Sequence, residues 1–177
     1  ADRDGRKVAL LLIDLDHFRT LNDAHGHEAG DELLKQAAQR LIQGVREGDT
    51  VARLGGDEFV VLLEGLSEEC ATAAVQAETI AEKIRATSAG HFTSSGGHDY
   101  LTSCSIGISL FCCQQERSDT LLKQADLALY HAKGCGRNAV RFFDAAMQAT
   151  IDSRTRLEGE LRRAIERHEL SLYLQPQ

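Results

Sequence analysis

Val8-Ala-Leu-Leu-Leu-Ile13 is an unbroken apolar run that stops at Asp14. Without polar alternation, such a run suits a strand covered on both faces, at the centre of a sheet and with an acidic residue at its exit. Working outward, Phe18–Ala24 reads as a short helical turn broken at Gly26. Glu28–Val45 reads as a long amphipathic helix, with apolar residues at 33, 34, 37, 38, 41, 42 and 45. Val51–Leu54 and Glu58–Leu63 read as strands around Gly55-Gly56-Asp57, a hairpin in which glycine supplies positive φ. Ser67 is expected to cap a helix reaching about Thr87. A second hairpin follows from Phe92, its second strand running from Tyr100 to Phe111. Ser118 or Asp119 is expected to cap a helix to about Lys133, and Ala139–Phe143 is a last strand. The order β-α-α-β-β-α-β-β-α-β predicts an α+β fold, a central mixed or antiparallel sheet flanked by helices.

The chain has 177 residues, 20 Lys and Arg against 27 Asp and Glu, and a net charge of −7. That balance argues against a binder of nucleic-acid polymers or of a membrane surface, both of which need a cationic face. A local pocket with bound cations can still take a phosphate ligand. Five cysteines, odd in number and without a C-x-x-C, indicate neither a disulfide framework nor a zinc clip. The longest apolar run is far too short to span a membrane, and the N-terminus has no signal-peptide pattern. A cytoplasmic segment is expected, with any membrane anchor or sensory part outside it.

Chemistry concentrates at two places. In Arg53-Leu-Gly-Gly-Asp-Glu-Phe59, two glycines clear a hairpin tip so that a bulky anionic group can approach the backbone. Asp57 and Glu58 follow at once, and adjacent strand residues face opposite ways, so the two are expected to differ in role. In Ile13-Asp-Leu-Asp-His-Phe18, carboxylates sit at the exit of the buried strand. If that strand adjoins the hairpin, Asp14 and Asp57 converge, and two hard oxygen donors with a backbone carbonyl suit Mg²⁺. The turn after Asp14 also presents helix N-terminal N–H groups to a phosphate. The same residues also suit blander roles: a solvated acidic pair at the turn, and a helix cap at Asp14.

The whole resembles the GGDEF family, the diguanylate cyclases. Gly55-Gly56-Asp57-Glu58-Phe59 is similar to the family signature. Asp14-x-Asp16-x-Phe18, Asn22-Asp23, Gly26-His27-x-x-Gly30-Asp31 and the run from Ala125-Asp126 through Tyr130 and Lys133 to Gly136-Arg137-Asn138 follow in order. The resemblance implies a fold like the palm of nucleotide cyclases and polymerases, with a ferredoxin-like core. It implies that Asp14, Asp57 and the Leu15 carbonyl hold Mg²⁺ (or Mn²⁺), and that Asn22 and Asp31 hydrogen-bond guanine. Backbone N–H groups of His17, Phe18 and Arg19 would meet the β- and γ-phosphates over the Gly55-Gly56 tip, assisted by Lys133 and Arg137. Arg19 stands where the family commonly has Lys, which keeps the charge and changes the geometry. Glu58 is a candidate for proton handling or site support.

The implied reaction condenses two GTP, one on each of two facing protomers of a homodimer, into cyclic di-GMP and two pyrophosphates. Arg46-Glu47-Gly48-Asp49 is similar to the family's R-x-x-D product-inhibition motif. The alternative is a catalytically silent GTP-binding module that regulates an attached phosphodiesterase. Residues 1–144 are expected to form the GGDEF domain, without the family's usual N-terminal helix, and so to bind GTP poorly. Residues 145–177 are expected to be a linker helix and the first strand of an EAL domain, since Leu157-x-x-x-Leu161 through Leu174-Gln-Pro-Gln177 resembles the opening of that phosphodiesterase module.

Overall fold

The computed structural model describes residues 5–93, 99–112, 117–145, 160, 163–165 and 167. The chain divides into two compact units, Ala1–Phe143 and Asp144–Gln177. The second unit falls largely outside the described residues, as does the strand expected at Leu170–Leu174.

In the first unit, β1 (Lys7–Leu15) is followed by α1 (Phe18–Gly44), β2 (Thr50–Gly55), β3 (Glu58–Leu66) and α2 (Cys70–Ser88). Then come β4 (Gly90–Thr93), β5 (Asp99–Thr102), β6 (Cys104–Cys112), α3 (Ser118–Gly134) and β7 (Val140–Phe142). The main sheet has the order β2-β3-β1-β6-β7. Its pairings are antiparallel except the parallel β6–β7 pair, so the sheet is mixed, and β1 lies at its centre.

Both faces of β1 are covered, which is why its sequence does not alternate. Ala9, Leu11, Ile13 and Leu15 join the larger core with Leu33, Leu41, Phe59, Ile84 and Ile106, under α1 and α2. Leu10 and Leu12 face the opposite way and pack with Ala125 and Leu129 of α3. Helix α3 lies close against β6. A side-chain carbon at Gly107 would collide with the Ala125 carbonyl and come within 2.9 Å of Leu129 Cα. Only glycine lets the two backbones approach so closely.

The two helices expected from Phe18 to Val45 are present: they meet at Gly26, whose backbone is non-helical (φ 82°, ψ 167°), and together make up α1. Two other local expectations are corrected. The strand expected over Tyr100–Phe111 is divided at Ser103: β5 pairs with β4 in a separate two-stranded sheet, and β6 joins the main one. At the division, the Ser103 hydroxyl donates to Asp16 (2.6 Å) and its carbonyl accepts the Asp16 N–H (2.9 Å). Such side-chain bonding competes with a continuous ladder. The expected caps also shift. Helix α2 starts after Glu69 and α3 after Arg117, neither with a side-chain cap. The Ser67 hydroxyl instead accepts the Glu69 N–H in the preceding turn (3.2 Å).

Candidate active site

Asp14 shares the α3 face of β1 with Leu10 and Leu12, four and two residues back along the strand. It is 6% exposed, opposite Glu58 of β3 and Ser105 of β6. Cross-strand partners lie on one face of a sheet, so Asp14 and Glu58 are neighbours. Lys133, in the last turn of α3, places its Nζ 2.6 Å from Asp14 Oδ2. Burial pushes the Asp14 carboxyl above its ordinary range; the Lys133 hydrogen bond and charge pull it back, and the nearby Asp57 and Asp16 carboxylates add to the rise. The result is a half-neutralised acidic cluster that favours an additional cation.

The hairpin tip is fastened to this cluster. Gly55 pairs with Glu58, leaving Gly56-Asp57 as a two-residue loop with Gly56 at φ 53°. A positive φ at the first loop position is what glycine supplies there. The Arg53 guanidinium donates twice to the Gly56 carbonyl, from Nε (3.0 Å) and Nη2 (2.6 Å). The Asp57 carbonyl in turn accepts the Leu15 N–H (3.3 Å). Asp14, Leu15 and Asp57 therefore meet where β1 ends. Added side-chain carbons at Gly55 or Gly56 would meet nothing within 4 Å, so the tip backbone is open to a bulky group. Among the described residues no group of three or more His, Cys, Asp or Glu is arranged to hold an ion alone. Two carboxylates and a backbone carbonyl fit a hard divalent ion that takes its other ligands from water and phosphate.

Beyond Leu15 the chain turns through His17 (φ 61°) into α1. The Leu21 N–H reaches the His17 carbonyl at 3.1 Å, so the N–H groups of Phe18, Arg19 and Thr20 precede the first helical bond and suit an anion. The Arg19 side chain is 94% exposed and pairs with Asp23 at 3.8 Å, a contact that stabilises little.

Asp16 stands in the Asp14-x-Asp16-x-Phe18 motif, where the sequence assigned it no role, and it ties the site together. Its carboxylate, 6% exposed, accepts the Ser103 hydroxyl (2.6 Å), the Ser105 hydroxyl (2.7 Å) and the Asn138 N–H (3.0 Å). The last of these holds the Arg137–Asn138 turn, whose residues have φ of 62° and 44°. The carboxylate thus braces the turn carrying Arg137 against the start of α1. Its partners lie 87, 89 and 122 residues along the chain, so no local pattern could have revealed them.

Asn22 and Asp31 lie on either side of the Gly26 kink. Asn22 Oδ1 is buried with no hydrogen-bond partner among the described residues. Asp31 lines a cleft of about 440 Å³ between α1 and β2, together with Lys35, Ile42, Arg53 and Phe59.

Arg46 and Asp49 stand at the other end of β2, roughly 17 Å from the hairpin tip for five residues of strand. Asp49 is tied into this strand end. Its carboxylate is completely buried and accepts the Arg46 N–H (3.2 Å), the Glu64 N–H (3.3 Å) and Arg46 Nε (3.3 Å). Arg46 also donates to the Glu64 carbonyl and remains 58% exposed. Asp49 therefore orients Arg46, and Arg46 is the member that faces outward. The Arg6 and Arg46 guanidiniums both approach Gly65, within 3.7 and 3.8 Å of where a side-chain carbon would be.

Among the described residues no helix is long and apolar enough to cross a membrane. The buried Cys104 thiol is pushed up to about 12 by desolvation, and the neighbouring Ser88 hydrogen bond opposes the rise. Such a thiol is inert packing, not a nucleophile.

The family model described as "Diguanylate cyclase, GGDEF domain" matches residues 1–139. The chain is 44% identical over 176 residues to the bifunctional diguanylate cyclase/cyclic di-GMP phosphodiesterase MucR of Pseudomonas aeruginosa, covering 99% of this chain and 25% of that protein. The chain thus spans about a quarter of that relative's length. Among solved structures, the GGDEF domain of TpbB from Pseudomonas aeruginosa aligns with a TM-score of 0.76 at 37% identity, covering 83% of each chain. The GGDEF domain of DgcB from Caulobacter crescentus, solved in complex with c-di-GMP, aligns at 0.70 with 27% identity, covering 78% of each chain.

Proposed function

The chain belongs to the GGDEF family, and from that premise we propose that it is a diguanylate cyclase module, a nucleotidyltransferase that condenses two GTP into cyclic di-GMP. The observation that carries the reading is the Leu15 N–H bond to the Asp57 carbonyl. It brings the glycine hairpin to the strand end where Asp14 and Lys133 already meet.

In this reading Asn22 and Asp31 orient guanine, and the N–H groups of His17, Phe18 and Arg19 receive the β- and γ-phosphates. Lys133 and Arg137 neutralise the triphosphate. Asp14, Asp57 and the Leu15 carbonyl are the set that would hold Mg²⁺ or Mn²⁺. When bound, the metal lowers the nucleophile's pKa and stabilises the leaving group. Glu58, beside Asp14 on the sheet face, supports the acidic cluster. Two protomers bring their nucleotides together head to tail. The ribose 3′-hydroxyl of one GTP gives up its proton to solvent, its oxygen forms a bond to the α-phosphorus of the other GTP, the bond from that phosphorus to the β-phosphate bridging oxygen breaks, and pyrophosphate leaves. Repeating the step closes the ring. The protein's contribution is positioning and charge placement at the reacting phosphates.

Arg46 is the outward group of a product-inhibition site for cyclic di-GMP, held by Asp49. The segment after residue 144 belongs to an EAL phosphodiesterase domain in cis, and a nucleotide substrate of this kind places the module in the cytoplasm.

Incubating the chain with GTP and Mg²⁺ or Mn²⁺, and resolving products by chromatography, tests the reading. Cyclic di-GMP and pyrophosphate should form, and Asp57→Asn should lower the rate by roughly two orders of magnitude or more. GTP binding without product in the dimeric protein would refute the cyclase reading and leave the silent regulatory module.

A further inference from the structure

Gly30 is buried inside α1 at a position where the backbone does not call for glycine. It is absent from the positive-φ residues, whereas Gly26 four residues earlier is among them. Glycine in a helix interior is destabilising relative to alanine, so its presence needs a packing reason. The reason is Asn22. A side-chain carbon at position 30 would collide with Asn22 Oδ1, lie 2.9 Å from its Cγ and lie 3.2 Å from Phe18 Cζ. In a straight helix, residues 22 and 30 would be roughly 12 Å apart along the axis. The Gly26 kink folds the two halves of α1 together, so that Asn22 comes to rest over the bare Gly30 backbone.

The amide oxygen seated there is buried and has no donor among the described residues. Buried polar atoms are nearly always paired, so an orphan acceptor marks a place where a ligand donor arrives. The guanine 2-amino group is such a donor, and it is what guanine has and hypoxanthine lacks.

We propose that Gly30 is a positioning residue: its missing side chain is the space that holds the Asn22 amide where it reads the guanine 2-amino group. This rests on the proposed function above, in which Asn22 contacts the base. Position 30 then sets base specificity without touching the nucleotide.

The test uses 3′-deoxy-GTP and 3′-deoxy-ITP, which lack the attacking hydroxyl, with calorimetric binding to the chain and to Gly30→Ala, Asn22→Ala and the double variant. Gly30→Ala should weaken 3′-deoxy-GTP binding by about tenfold, the worth of a hydrogen bond to an otherwise unsatisfied group, and leave 3′-deoxy-ITP binding nearly unchanged. Asn22→Ala should do the same, and the double variant should lose nothing further. Thermal unfolding gives a second readout: Gly30→Ala should lower the midpoint in the native background and not in the Asn22→Ala background, where the obstructed group is gone. If Asn22→Ala abolishes the preference for guanine while Gly30→Ala preserves it, the proposal is overturned and the guanine reading of Asn22 survives. If Asn22→Ala leaves the preference intact, that reading fails and takes the proposal with it.

Discussion

Replacing Asp16 by alanine removes the acceptor shared by three segments of the site. Ser105 is 0% exposed, so its hydroxyl, 2.7 Å from Asp16 now, would be left buried without that partner. An unsatisfied buried donor costs about 1–3 kcal/mol. The Ser103 hydroxyl and the Asn138 N–H are nearer to solvent and recover part of their loss from water, so each adds roughly 0.5–1 kcal/mol. The relief of no longer burying a carboxylate offsets some of this, and the net destabilisation comes to about 2–4 kcal/mol. A domain of this size loses roughly 3 °C of midpoint per kcal/mol, so thermal unfolding should shift down by roughly 6–12 °C. That leaves a folded domain, since total stability is typically 5–15 kcal/mol. Two readouts separate the brace from generic damage. The Ser105→Ala substitution should cost little once Asp16 is already alanine, a non-additivity of about 1 kcal/mol in a double-mutant cycle. In addition, the left-handed Arg137–Asn138 turn, which is held in place by its surroundings, should relax and raise KM for GTP more than it lowers kcat. A midpoint within about 2 °C of wild type, or strictly additive Asp16 and Ser105 effects, would refute the argument.

Two further outcomes are expected. Asp14 has a folded-state carboxyl raised above its ordinary 3.8, burial outweighing the Lys133 pair. Its contribution to stability is therefore present below pH 3.8 and lost as the pH rises through the raised value. Asp14→Asn should stabilise the chain in denaturant titrations at pH 7, do so far less at pH 3, and abolish divalent-ion binding; equal gains at both pH values would contradict the assignment. Arg46→Ala should relieve inhibition by added cyclic di-GMP by about tenfold or more, the scale of one lost charge-assisted contact, and unchanged inhibition in initial-rate assays would remove Arg46 from that role.

Local chemistry was enough for several features of this protein. The run from Val8 to Ile13 is apolar without alternation because both faces of β1 are covered, and that alone predicts a central strand. Glycine at position 56 sits where the hairpin needs positive φ, and Gly26 marks the kink in α1. Each of these follows from the residue itself and its immediate neighbours. The R-x-x-D stretch was legible as a motif but not as a geometry, because the complete burial of Asp49 depends on Glu64 across the strand pair.

The sequence by itself thus determined the order of the elements outside residues 100–111, the tip of the hairpin and the family signature. These depend on backbone preference and on hydrophobic period, which are properties of short windows. Only the tertiary structure decided which of the two aspartates at the end of β1 faces Lys133 and which braces the Asn138 turn, how residues 100–111 divide between two sheets, and why position 30 is glycine. Those outcomes turn on burial, on hydrogen-bond partners up to 122 residues away, and on space occupied by another side chain. None of these quantities exists until the chain has folded.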